Sequence, residues 1–98
     1  MDLPDDLAVI HQPARLRLMA LLFRQRDVAF TAARDALALT DGNLATHAKR
    51  LEEAGLLVAR KALGRDGFEV RYRITEAGSA AFRAYLERLR AFLAESEP

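Results

Sequence analysis

Apolar residues recur at three- and four-residue steps in two long stretches, Leu16 to Phe23 and Phe82 to Leu93, and alternate with charged ones from Phe68 to Ile74. The first stretch predicts a central helix opening at Pro13, with Leu16, Met19, Ala20 and Phe23 on one stripe and Leu18, Leu21 and Leu22 widening it. Asp27-Val28-Ala29-Phe30 interrupts that rhythm. Thr31 is then placed to cap a short second helix through Arg34, Asp35, Leu37 and Ala38. A tight turn from Ala38 to Thr40 leads onward.

The run from Leu39 to Leu57 reads as one helix with marked ends. Thr40 or Asp41 caps its first amides, and Gly55 supplies the left-handed exit. Leu44, Ala48 and Leu51 line one side, while Gly42, Thr46, Lys49 and Arg50 gather on the other. One side packs; the other has no structural duty. Two successive helices joined by so tight a turn make a helix-turn-helix candidate. After Gly55 the chain runs Leu56 to Ala62, turns near Asp66-Gly67, and alternates Phe68, Val70, Tyr72 and Ile74 inward against Glu69, Arg71 and Arg73 outward. This predicts a β-hairpin. Thr75 and Glu76 open a last helix, about 75–95, with Arg83, Glu87 and Arg90 on its polar side. The predicted fold class is mainly α with a small β-hairpin wing: a winged helix-turn-helix plus a C-terminal helix, in one domain spanning 1–98.

Composition narrows the function classes. A chain of 98 residues supports one modest core and is too short for a two-domain enzyme with a buried cleft. With 51% apolar and 30% charged residues it reads as a folded globular chain. It has no cysteine, which removes disulfides and thiolate ligands. No apolar run approaches the roughly 20 residues of a membrane span, and the acidic start Met1-Asp2-Leu3-Pro4-Asp5-Asp6 is unlike a basic secretory signal. A cytoplasmic location is the simplest expectation. No nucleophile elbow, phosphate-binding glycine loop or paired carboxylate suggests an enzyme. His11 and His47 are the only histidines and lack partners at ligand spacing, so neither a metal nor a cofactor is expected.

The net charge of +1 hides a segregation. The first twelve residues carry Asp2, Asp5 and Asp6 without a Lys or Arg, whereas the segment from 49 to 73 carries Lys49, Arg50, Arg60, Lys61, Arg65, Arg71 and Arg73 against Glu52, Glu53, Asp66 and Glu69. An anionic partner fits that half, as does a merely solvated surface. Duplex affinity comes from neutralised phosphates, and sequence choice from groups that reach base edges. Asn43 and Thr46 are short polar candidates for base contact; Lys49 and Arg50, one turn on, suit phosphate anchoring or, for Arg50, guanine. Glu52 and Glu53 oppose phosphate at the far end, so docking by the N-terminal half is favoured. In the hairpin, Arg65 beside the turn is the first candidate, with Lys61, Arg71 and Arg73 behind it.

Ile10-His11-Gln12-Pro13-Ala14-Arg15-Leu16, the run Leu39-Thr40-Asp41-Gly42-Asn43-Leu44 to Glu52-Glu53-Ala54-Gly55-Leu56, and Ile74-Thr75-Glu76-Ala77-Gly78 together resemble winged-helix transcriptional regulators of the MarR/ArsR-like superfamily, small stand-alone type. The resemblance covers nearly the whole chain. It implies a prokaryotic regulator of double-stranded DNA, with the third helix in the major groove, the wing on backbone or minor groove, terminal helices forming a homodimer, and repression as the usual mode. It departs from the family at Ala48, where relatives carry a larger aliphatic, and at Thr46, where a basic residue is common. The candidate DNA contacts are Thr40, Gly42, Asn43, Thr46, His47, Lys49, Arg50, Lys61, Arg65 and Arg71. Phe82, Tyr85, Leu86, Leu89, Phe92 and Leu93 are the candidate dimer contacts, unless that helix folds wholly back onto Leu16, Met19 and Phe23 of its own chain. A second reading is a winged helix that meets an acidic protein. No sequence feature marks a small-molecule effector.

Overall fold

The computed structural model describes residues 1–98 and follows the order α1 (Asp5–Ala8), α2 (Pro13–Gln25), β1 (Asp27–Ala29), α3 (Phe30–Leu37), α4 (Asp41–Glu53), β2 (Leu57–Gly64), β3 (Gly67–Ile74) and α5 (Glu76–Glu95). Pro13 occupies the first turn of α2, and the Gln12 side chain accepts the Arg15 amide at 2.8 Å. The buried stripe of α2 is Leu18, Met19, Leu21 and Leu22. It is rotated from the predicted one, leaving Leu16, Ala20 and Phe23 partly covered. Full burial of each large side chain contributes about 1.5–3 kcal/mol, so this stripe is a substantial part of the core.

Three local expectations change. The Asp27 to Ala29 interruption is a strand: β1 pairs antiparallel with β3, Val28 opposite Tyr72, and the hairpin becomes a three-stranded sheet of order β1-β3-β2. Because β1 runs straight into α3, the cap position falls on Ala29, without a side-chain bond, and Thr31 lies inside the helix. The turn sits at Arg65 and Asp66, between the paired Gly64 and Gly67. The acidic N-terminus also folds, with α1 burying Leu7 and the following loop burying Ile10 against the core.

The hairpin outruns the core. Tyr72 and Ile74 are buried at its base, as expected for the inward face. Farther out on that same face Phe68 is 79% exposed and its cross-strand partner Leu63 is 77% exposed, because the hairpin tip extends past the core and the start of α3, Phe30 and Thr31, leaves an open groove beside Phe68 instead of covering it. The last helix is likewise divided. Phe82 and Tyr85 are buried in their own chain, Phe82 stacking at 5.0 Å on Phe23 and the Tyr85 hydroxyl bonding His11 Nδ1 at 2.7 Å. Leu86 and Leu89 are half-covered, and Phe92 and Leu93 project beyond the core of a molecule 54 Å long and 20–25 Å across. No helix is long and apolar enough to cross a membrane.

Candidate nucleic-acid interface

Helix α4 is held from both ends. Thr40 Oγ1 accepts the Asn43 amide at 3.1 Å, closing the N-terminus, and Gly55 leaves the helix at φ +78°, a conformation a side chain disfavours. Ala38, at φ 54°, makes the left-handed turn that reverses the chain between α3 and α4. Arg34 of α3 then bridges the turn, donating to Asp41 at 3.0 Å and so neutralising the one acidic group in the first turn of α4. Its hydrogen bonds to Asp35 and Asp41 raise its pKa above the ordinary value.

Leu44, Ala48 and Leu51 are buried beneath α4, and the small Ala48 is 2% exposed. Gly42, Asn43, Thr46, Lys49 and Arg50 all lie exposed on the outer side. None of the side chains of Asn43, Thr46, Lys49 and Arg50 is hydrogen-bonded or ion-paired within the chain. Thr40 by contrast is occupied as the cap, leaving a hydroxyl rather than a free side chain. Glu52 turns aside to accept the Ala59 amide of β2 at 3.1 Å, so one of the two far-end carboxylates ties the wing to the helix.

His47 is half-buried and faces α2, where its Nδ1 lies 3.4 Å from Arg15 Nη1. Burial, then the charges of Arg15 and Arg50, lowers its pKa, so the neutral ring accepts from Arg15 at neutral pH. Burial and Arg50 lower the pKa of Arg15 also. Arg15 and Arg50 thus place two positive charges without a carboxylate partner on the flank of α4, beside the neutral His47. Arg15 is the one of these that the sequence patterns do not single out. A signal for it exists: an arginine in the first turn of a helix opposes the helix dipole, a local conflict of the kind that marks functional positions.

The wing divides its cations. Arg65 and Lys61 are exposed, with no carboxylate partner. Arg71 is committed internally, donating to Asp27 at 2.8 Å and to Glu69 at 2.9 Å, which raises its pKa. Arg60, also on that outer face, pairs with Asp27 as well. The structure therefore brings Arg50 and His47 together with Arg15, keeps Arg65 and Lys61 free of carboxylates on the wing, and pairs Arg71 with Asp27 and Glu69.

A capped, solvent-facing helix set on a helix-turn-helix, with a three-stranded wing beside it, defines a winged-helix DNA-binding protein. Residues 14–93 match the family of winged helix DNA-binding domains, and the chain belongs to it. An uncharacterised protein of Methanocaldococcus jannaschii is 31% identical over 80 residues, which cover 82% of this chain and 87% of that one. A transcriptional regulator homologue from Pyrococcus horikoshii superposes with a TM-score of 0.87 at 28% identity, covering 93% of this chain and 90% of its own. A homodimeric winged helix-turn-helix domain from Mycobacterium bovis, described as a possible ArsR-family regulator, shares the fold with a TM-score of 0.73 at 22% identity, covering 95% of this chain and 83% of its own.

Proposed function

We propose that this chain is a homodimeric transcriptional regulator that binds specific duplex sequences and represses by occupying a promoter. The observation that carries the reading is the outer side of α4, where Asn43, Thr46, Lys49 and Arg50 have no partner in their own chain and stand beside the Arg15–His47 pair. Asn43 and Thr46 enter the major groove and read base edges; Lys49, Arg50 and Arg15 hold phosphates; Arg65 reaches the backbone or minor groove from the wing, with Lys61 in support. Binding to mixed-sequence duplex, followed by fluorescence anisotropy, falls steeply with salt. Arg50→Ala and Arg15→Ala each make the slope of log K against log salt shallower by about one unit per lost phosphate contact. Absence of binding at low salt overturns the reading.

Pairing through α5 is part of the same proposal. Phe92 and Leu93, 41% and 54% exposed, continue the half-covered stripe of Leu86 and Leu89 past the end of the core. A second copy of this helix covers them and sets two α4 helices about 34 Å apart, one duplex turn, on a palindromic site. The wild type accordingly sediments as a dimer at micromolar concentration. The exposed double substitution Phe92→Glu and Leu93→Glu leaves the fold intact and yields monomers, whereas a monomeric wild type contradicts the pairing.

A further inference from the structure

The largest cavity in the molecule, about 480 Å³, lies away from the candidate DNA surface, where the end of α2, the end of β3 and the start of α5 meet. It is lined by three arginines from those three elements: Arg26, Arg73 and Arg83. Only Arg73 is ion-paired, to Asp27 at 3.2 Å; Arg26 and Arg83 have no carboxylate partner, although Glu76 stands on the same wall. Both of these guanidiniums lie over the Phe23 ring, at 5.8 and 5.3 Å from its centroid, which holds them on one side of the cavity. Ser79 completes the wall. It is only 7% exposed, and its Oγ accepts from Arg26 at 3.1 Å while its own hydroxyl hydrogen has no acceptor in the chain. Two guanidiniums without a carboxylate partner and a buried hydroxyl line one space, and after the Arg26–Ser79 bond is made they still hold more donors than acceptors.

We propose that this cavity binds a compact anion bearing a carboxylate or phosphate group, held by Arg26 and Arg83 and by the Ser79 hydroxyl. Duplex phosphate at this site is disfavoured by position: Arg26 closes the end of α2 opposite Arg15, about 16 Å along the helix at 1.5 Å per residue. The cavity wall is nevertheless joined to α4. The Arg26 carbonyl accepts the Ile74 amide at 3.0 Å, and Thr75 donates its hydroxyl to Gly55 at 2.6 Å and its amide to Leu56 at 3.1 Å. An anion drawn in between Arg26 and Arg83 therefore bears on the strand that anchors the exit of α4 and on the root of α5.

The test uses the full chain without DNA, so that it stands apart from the DNA-binding reading. Inorganic phosphate and citrate are titrated separately at constant ionic strength, following the melting temperature and the backbone amide spectrum. The expected result is a saturable rise in melting temperature with amide shifts centred on Thr75 and Ser79; the stronger of the two probes identifies the anion as phosphate-like or carboxylate-like. Arg83→Gln and Arg26→Gly each weaken that response about tenfold or more, the loss of a charge-assisted hydrogen bond. Arg26→Gly also relieves a backbone held at φ 72°, so its fold is preserved. Lys49→Ala keeps the full response. A response that does not saturate, that survives both arginine substitutions, or that disappears in Lys49→Ala overturns the proposal.

Discussion

Replacing Gly78 with alanine destabilises this protein by about 3 kcal/mol or more, even though alanine is the better helix former. Gly78 is in the first turn of α5, where that helix crosses the chain leaving α4. A Cβ built on it falls 2.0 Å from the Leu56 carbonyl oxygen and 2.9 Å from its carbon, with Ile74 also at 2.9 Å. Real contacts do not come so close, and the obstacle is backbone rather than the movable end of a side chain. The Leu56 oxygen already accepts the Thr75 amide at 3.1 Å, so moving it breaks the junction of α4, β3 and α5 together. The helix-propensity gain of about 1 kcal/mol is far too small to offset this. In a domain of this size the loss corresponds to a fall of more than about 12 °C in melting temperature. Gly42 is the internal control: it lies in α4 with nothing within 4 Å of where a methyl group would stand, so the same substitution there stabilises by about 0.5–1 kcal/mol. Thermal unfolding of the two variants beside the wild type decides the matter. Similar shifts at both positions contradict the close approach at Gly78.

The Gly78 segment is visible in the sequence only as one of the stretches that resemble the regulator family, but its reason is spatial: only the folded chain places Leu56 across from it. The same division runs through the molecule. Helix α4 is legible because Thr40, Gly55 and the Leu44–Ala48–Leu51 stripe are local signals that agree over thirteen residues. Strand β1 is not, since three residues are too few for a period and Arg73, the partner of Asp27, is 46 residues away. Alternation along β3 assigns Phe68 and Tyr72 to one face correctly. It carries no information on whether anything packs against that face at each point, and so Phe68 proves exposed where Tyr72 is buried. In α5 the apolar stripe is legible, but not the place where the core ends along it; Tyr85 falls inside and Leu93 outside. Of the candidate DNA contacts, the exposure of Gly42, Asn43, Thr46, Lys49 and Arg50 follows from helical spacing alone, whereas His47 turns toward α2 and is half-buried. The loss of Arg71 to Asp27 depends on the sheet register and cannot be read from either residue.

Asp27 makes that register into a stability determinant, and Asp27→Asn is expected to cost about 2 kcal/mol at neutral pH. Three arginines of the sheet's outer face converge on this one carboxylate: Arg71 at 2.8 Å, Arg73 at 3.2 Å, and Arg60 in close contact. Partial burial disfavours the charged carboxylate, but the hydrogen bonds from Arg60, Arg71 and Arg73 outweigh it and hold the pKa at about 2 rather than 3.8. Each pKa unit is worth about 1.4 kcal/mol, so the shift amounts to roughly 2 kcal/mol, less whatever solvent screens from the exposed Arg73. Removal of the charge leaves Arg60 and Arg71 facing each other across β2 and β3, and Arg60 already has a buried Nε with no acceptor. The pH dependence has a definite sign. The folded-state value lies below the unfolded one, so the contribution is present in full above about pH 4 and disappears as the pH falls toward about 2. Urea unfolding of wild type and variant at about pH 7 and about pH 2.5 isolates it, because every other carboxylate is common to both chains. The stability gap at neutral pH shrinks to well under half in acid. A gap that stays constant with pH shows instead that Asp27 acts through shape and packing, and that the arginines draw no net stability from its charge.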